Sequence, residues 1–213
     1  MKIYTSYTEN ASNILELLLK SAEEIQDIEI VPCLIENAVI ARMGGTSDDS
    51  YKTLMIQRWK MLPNLVKENI GSNIVWLDLD CVFNKTQNKF IEIMNSALEN
   101  HDFAFQKEEN SSMSAKINTG IMGIKCSEKT HNFVKKCVSD IENTPVNQRK
   151  NGFPLLEWND AFTFNKYPEC ECTYTSLPDK MGYESRDCVI YHAIATQDKM
   201  QRLRDVLKSF LIS

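Results

Sequence analysis

Apolar and polar residues alternate over residues 2–7 and 28–31, both rich in Ile, Tyr, Thr or Val, which predicts two short strands. Pro32 is expected to end the second of them at once or soon after. Between the two, Ile14, Leu17 and Leu18 repeat at helical spacing, and Asn10 or Ser12 can cap that helix. Residues 43–50 (Met43-Gly44-Gly45-Thr46-Ser47-Asp48-Asp49-Ser50) are small and polar and predict a loop. A helix is expected over 51–68, with Leu54, Met55, Trp59 and Leu62 on one side and Pro63 bending or interrupting it. Asn73-Ile74-Val75-Trp76-Leu77 is a continuous apolar run suited to a buried central strand. Beyond it the pattern predicts helices over 90–98, 128–141, 155–165 and 197–211. Strands are expected over 102–106, 117–125 (with Gly120 and Gly123 inside) and 188–191, and a polar loop over 144–152. Strands that alternate with helices in this way predict an α/β sandwich built on a central, largely parallel sheet.

Composition narrows the classes without naming one. A chain of 213 residues suits a single domain with its own core, 1–213, and is compatible with the N-terminal part of a longer polypeptide. The net charge of -5 argues against a partner held by a general basic field, so no nucleic acid is expected. No apolar run reaches the roughly 20 residues needed to span a bilayer, and Met1-Lys2-Ile3-Tyr4-Thr5 lacks a signal peptide's apolar segment. The 7 cysteines are odd in number and several lie in apolar stretches, which predicts free thiols in a reducing, cytoplasmic setting. Cys170-Glu171-Cys172 has no second half at zinc spacing and is not read as a metal site.

The strongest chemical signal is Trp76-Leu77-Asp78-Leu79-Asp80-Cys81-Val82-Phe83. On an extended chain, residues two apart share a face, so Asp78 and Asp80 should point the same way. Two adjacent carboxylates at the end of a buried strand repel each other and are costly to desolvate, so something positive should sit between them. A divalent cation such as manganese or magnesium fits, because it takes a few carboxylates and leaves positions for phosphate oxygens. Two solvated acids, or an acid paired to a lysine, would satisfy the same pattern.

Four segments together resemble a known family: Arg58-Trp59-Lys60-Met61-Leu62-Pro63, residues 74–83, Ile117-Asn118-Thr119-Gly120-Ile121-Met122, and Val189-Ile190-Tyr191-His192. In order and spacing they look like a nucleotide-diphospho-sugar glycosyltransferase of the GT-A fold. The chain is most similar to the retaining galactosyl-, xylosyl- and mannosyltransferases of the plant and fungal Golgi. It also looks like the glycosyltransferase domain that large chlorella viruses encode for their capsid glycans, in which case the compartment would be the host cytoplasm. The resemblance spans residues 2–199, with two departures. The Golgi enzymes carry an N-terminal membrane anchor that is not seen here, and Ala195 stands where their C-terminal motif usually has Gly.

The resemblance implies a site. Asp78, Asp80 and His192 would hold the metal, and a structural role for His192 is the alternative. Thr5, Ser6 and Tyr7 would meet the nucleoside, with Tyr7 stacking on the base or serving simply as a strand-end tyrosine. Arg58 and Lys60 lie where the family places a basic residue facing the diphosphate. Of these Lys60 is the expected donor contact, although exposed helix lysines are common. Lys199 would reach the β-phosphate. Asn118 and Thr119 would hydrogen-bond the donor sugar beside Gly120, whose lack of a side chain lets the backbone approach closely. Asp160 (or Glu157) would bind sugar hydroxyls or stabilise an oxocarbenium-like transition state, which with Asn118 makes the expected catalytic pair. Trp158 and Phe153 would line an acceptor site or pack in the core.

Three functions compete. The first is a manganese- or magnesium-dependent transfer of a sugar from a UDP- or GDP-linked donor to a glycan or glycoprotein hydroxyl, with retention implied by the resemblance. The second is an aspartate-dependent phosphatase of the haloacid dehalogenase type, whose nucleophile motif Asp78-Leu79-Asp80-Cys81-Val82 also resembles. That family places the motif on its first strand and needs a second acidic pair, and neither condition is met. The third is a catalytically inactive carbohydrate-binding module on the same fold, against which the intact Asp78, Asp80 and His192 speak.

Overall fold

The computed structural model describes residues 1–36, 49–86, 89–107, 117–143, 167–182, 184, 187–193 and 198–212. Strand β1 (Lys2–Tyr7) lies between β2 (Glu29–Leu34) and β3 (Asn73–Leu77) and runs parallel to both. The sheet continues through β6 (Ile117–Lys125), β5 (Phe103–Lys107) and β7 (Tyr174–Ser176), in the order β2-β1-β3-β6-β5-β7. Only β6 opposes its neighbours β3 and β5, so the sheet is mixed and mostly parallel, as the alternating pattern predicts. A smaller sheet stands beside the main one in the order β4-β9-β8, from β4 (Cys81–Phe83), β9 (Ile190–His192) and β8 (Met181–Gly182).

The continuous apolar run in β3 follows from covering both faces of the sheet. Ile74 and Trp76 point to one side, where they join Trp59, Leu62 and Val66 of α2 (Asp49–Glu68) and Phe133, Val134 and Cys137 of α4 (Glu128–Asn143). Val75 and Leu77 point to the other, against Leu18 of α1 (Ser12–Ala22) and Phe90, Met94 and Leu98 of α3 (Phe90–Glu99). A third cluster packs Val82 and Tyr191 of the small sheet on Leu203, Val206 and Phe210 of α5 (Lys199–Ile212). Each fully buried aromatic or aliphatic side chain of this kind contributes roughly 1.5–3 kcal/mol.

Several boundaries differ from the pattern for local reasons. β2 runs through Pro32, which pairs with Thr5; on an edge strand its missing N–H can face away from the ladder. Pro63 does not end α2, which continues to Glu68. Neither Asn10 nor Ser12 caps α1: a 3-10 turn over Glu9–Ala11 leads into it, and Asn10 accepts a 2.7 Å hydrogen bond from the Thr8 hydroxyl. β4, β7 and β8 are too short for a periodicity to reveal. Residues 43–48 of the predicted loop, with the expected loop over 144–152 and helix over 155–165, lie outside the described residues; Asp49 and Ser50 already belong to α2.

All seven cysteines are free thiols, Cys33 and Cys172 half-buried and the other five buried. Among the described residues no helix is long and apolar enough to cross a membrane.

Candidate active site

The parallel strands of the main sheet bring their carboxyl ends to one edge, where ligands bind in open α/β folds. β3 delivers Asp78 to that edge. The chain does not stay extended there, as equal facing of Asp78 and Asp80 would require. β3 ends at Leu77, Leu79 and Asp80 form a turn, and β4 begins at Cys81 in the other sheet. The corner is pinned on both sides: the Asp78 N–H donates to the Gly120 carbonyl at 2.7 Å, and the Ala193 N–H donates to the Asp80 carbonyl at 2.9 Å. The carboxylates therefore converge through a turn between two sheets and not through strand alternation.

His192 faces both of them. It ends β9 opposite Cys81, and its Nε2 lies 3.3 Å from Asp78 Oδ2 and 3.3 Å from Asp80 Oδ1. One ligand atom from each of Asp78, Asp80 and His192 falls within 4.8 Å of the others, a grouping able to hold a metal ion. Two hard carboxylate oxygens and one imidazole suit a divalent ion such as manganese or magnesium, and the His192 and Asp80 side chains are only 5% and 9% exposed.

The trio is also balanced by the protein's own cations. Arg58 of α2 ion-pairs with Asp78, and Lys199 at the start of α5 ion-pairs with Asp80. The Arg58 guanidinium carbon sits 5.1 Å from the ring centroid of Trp76 and 5.6 Å from that of Trp59, so two indoles hold it in place. Burial pushes the Asp78 carboxyl up, but the Arg58 charge, helped by His192 and Lys199, holds it well below the usual carboxylate range. Burial likewise raises Asp80, and the imidazolium of His192, together with the Lys199 charge, more than offsets this and lowers it. For His192 burial pushes the pKa down, while Asp80 and the hydrogen bonds to both carboxylates lift it to about 9. The acid-paired-to-lysine pattern and the metal-ligand pattern thus occupy one place.

Behind the trio lies a residue that the sequence reading passes over. His192 Nδ1 is 2.8 Å from Gln106 Oε1, and Gln106 is fully buried. Glycines crowd this pair: a β-carbon on Gly120 would lie 2.1 Å from His192 Cε1, and one on Gly182 (φ +123°) would lie 2.1 Å from Gln106 Nε2.

The remaining candidates are distributed unevenly. Lys60 does not face the trio; it is about half exposed and ion-pairs with Glu142 of α4 at 2.8 Å. Arg58, two residues earlier and on the opposite side of the helix, takes the place at the site. The sequence carries that signal, because Leu54, Arg58 and Leu62 recur at four-residue spacing along the apolar stripe of α2. Thr5 is fully buried with its hydroxyl unpartnered among the described residues, whereas Ser6 and Tyr7 are half-buried at the end of β1. Asn118 and Thr119 are half-buried at the start of β6, and Asn118 Oδ1 accepts the Gly120 N–H at 2.7 Å. Asp160, Glu157, Trp158 and Phe153 lie outside the described residues.

A donor set of this kind, on the carboxyl edge of a mostly parallel α/β sheet, is one that can hold a cation where ligands bind in open α/β folds. A family model for nucleotide-diphospho-sugar transferases matches residues 34–166, and the chain belongs to that family; it is a glycosyltransferase. The chain is similar to the crystal structure of a glycosyltransferase involved in the glycosylation of the major capsid of PBCV-1, a chlorella virus. The TM-score is 0.65 at 16% identity, with 97% of this chain and 98% of that one covered. It is similar also to the glycosyltransferase GlyE of Streptococcus pneumoniae TIGR4, with TM-score 0.62 and 13% identity, covering 100% of this chain and 60% of that one. The galactosyltransferase LgtC, solved with donor and acceptor sugar analogs, matches with TM-score 0.58 and 12% identity over 98% and 96% of the two chains. At these identities the likenesses establish the shared fold, GT-A. No curated protein matches the chain by sequence.

Proposed function

We propose that this glycosyltransferase uses a divalent cation, manganese or magnesium, to move a sugar from a UDP- or GDP-linked donor to a glycan or glycoprotein hydroxyl, with retention. The observation that carries the reading is the convergence of Asp78, Asp80 and His192 on one point of the sheet edge, flanked by Arg58 and Lys199. The family match selects transfer over the phosphatase alternative.

A cation held there supplies Lewis-acid neutralisation of the leaving diphosphate. The chain's own residues do the rest. Arg58, stacked over Trp59 and Trp76, places a guanidinium charge beside Asp78 that suits phosphate oxygens. Lys199 has a flexible stem and can exchange the Asp80 carboxylate for a phosphate oxygen when a donor enters. The half-buried Ser6 and Tyr7 at the end of β1 line the nucleoside side of the same edge, with Thr5 buried beneath them. Asn118 and Thr119 stand on the sugar side, next to the backbone of Gly120 that the Asp78 N–H also contacts. Asp160 is the proposed carboxylate for the sugar, acting on its hydroxyls or on developing positive charge at the anomeric carbon. Lys60, paired to Glu142, takes no part in this arrangement.

Calorimetric titration with UDP and GDP, in manganese and in chelator, tests the reading. One of the two nucleotides should bind at least tenfold more tightly with manganese. Equal binding in chelator would remove the cation from the proposal.

A further inference from the structure

Among the described residues the hydrogen bond of Gln106 goes to His192 and not to either carboxylate, yet Gln106 is placed with more care than a core residue needs. The pairing of β5 with β6 slips between Phe105, opposite Met122, and Gln106, opposite Asn118. Irregularities of this kind re-aim a side chain at the end of a strand. Here the amide turns to the imidazole of His192, with Oε1 2.8 Å from Nδ1. Gly182 makes room for the amide, because a β-carbon there would lie 2.1 Å from its Nε2. Gly120 performs the same service for the ring itself. Two glycines and a strand irregularity thus serve one hydrogen bond.

We propose that Gln106 is the positioning residue of the metal site: it accepts the Nδ1 proton of His192 and so presents Nε2 to the cation. This rests on the reading of Asp78, Asp80 and His192 as metal ligands. The physical reason is that a neutral imidazole has one proton to place and can bind a cation only through the other nitrogen. A fully buried amide oxygen at Nδ1 fixes that choice and the plane of the ring together, and partners of this type commonly change metal affinity 10–100-fold. Gln is suited to the place because its oxygen accepts without adding a third carboxylate charge beside Asp78 and Asp80.

The experiment is nitrogen NMR on protein labelled in the imidazole rings, first metal-free and then with magnesium and the nucleoside diphosphate that binds best. In the wild type His192 should carry a hydrogen-bonded proton on Nδ1 in both states, and magnesium should take the place of the proton on Nε2, which should show the larger shift. Gln106→Met should lose the Nδ1 signature and bind manganese about 10–100-fold more weakly by calorimetry. Gln106→Glu, which keeps an acceptor oxygen at the same reach, should recover both. A cation found on Nδ1, or a folded Gln106→Met variant with wild-type manganese affinity, would overturn the role of Gln106 and leave the metal reading standing. Silence of both nitrogens toward magnesium in the wild type would overturn the metal reading and with it this role. Should Gln106→Met fail to fold, the wild-type spectra and Gln106→Glu decide the question.

Discussion

The imidazole of His192 occupies the space into which a side chain on Gly120 would grow, with a β-carbon there only 2.1 Å from Cε1 and 2.6 Å from Nδ1. The same Gly120 accepts the Asp78 N–H through its carbonyl, so one residue of β6 supports both sides of the Asp78–Asp80–His192 trio. Gly120→Ala should therefore displace His192 before it disturbs anything else. Metal-dependent nucleotide binding should fall at least tenfold by calorimetry, with a stability loss of about 1–3 kcal/mol from overpacking. An alanine variant with wild-type binding would show that the ring has somewhere else to go.

Arg58 offers a second test, because its charge is the one chiefly responsible for keeping Asp78 ionised. Arg58→Met keeps the packing between the indoles but leaves Asp78 short of a partner. We expect a loss of about 3 kcal/mol in metal-free protein, the lower end of the range for breaking a buried pair, since the Asp78 side chain remains 24% exposed. Manganese should restore part of that stability by supplying the missing charge. Arg58→Lys should not, because an ammonium cannot stack between Trp59 and Trp76 as a planar guanidinium does. Thermal melts with and without manganese read all three outcomes.

The cysteines predict a chemical result. Cys33 and Cys172 are half-buried, and burial pushes the Cys33 thiol up and the Cys172 thiol to about 12. Neither is a ready thiolate at neutral pH. A thiol reagent should react slowly with the native protein and then with close to seven groups once the unreduced chain is unfolded. A large shortfall after unfolding would mean disulfides.

How far the sequence carries can be judged from single positions. Asp78 and His192 stand out because each follows a short apolar run, and Asp80 because it lies two residues after Asp78 among apolar neighbours. The expected reason for their meeting was nevertheless different from the one found. Strand alternation would align the two aspartates on one face, whereas the structure breaks β3 at Leu77 and uses a turn between two sheets. Lys60 and Arg58 differ for a similar reason: the motif contains both, and only the helical stripe through Leu54, Arg58 and Leu62 distinguishes the inward one. Gln106 has no local signature at all. Its role depends on a register slip against β6 and on Gly182 from a distant two-residue strand, neither of which any periodicity encodes.

Lys199 yields the sharpest prediction, because its two expected roles act in opposite directions. In the structure its ammonium pairs with Asp80, one of the three proposed metal ligands. It therefore competes with a cation that arrives alone, since an ion entering the site must share or displace it. Once a nucleoside diphosphate is present, the same ammonium is released toward phosphate oxygens and should hold them with a charged hydrogen bond, about 1.5–3 kcal/mol. Lys199→Met removes both effects. Manganese alone should bind more tightly, roughly three- to tenfold, by relief of a like charge beside the site. Nucleotide binding in saturating manganese should weaken at least tenfold. Two calorimetric titrations on the same variant supply both numbers. If both affinities fall together, Lys199 supports the site's structure instead of exchanging partners; if neither changes, its contact with Asp80 has no bearing on ligand binding.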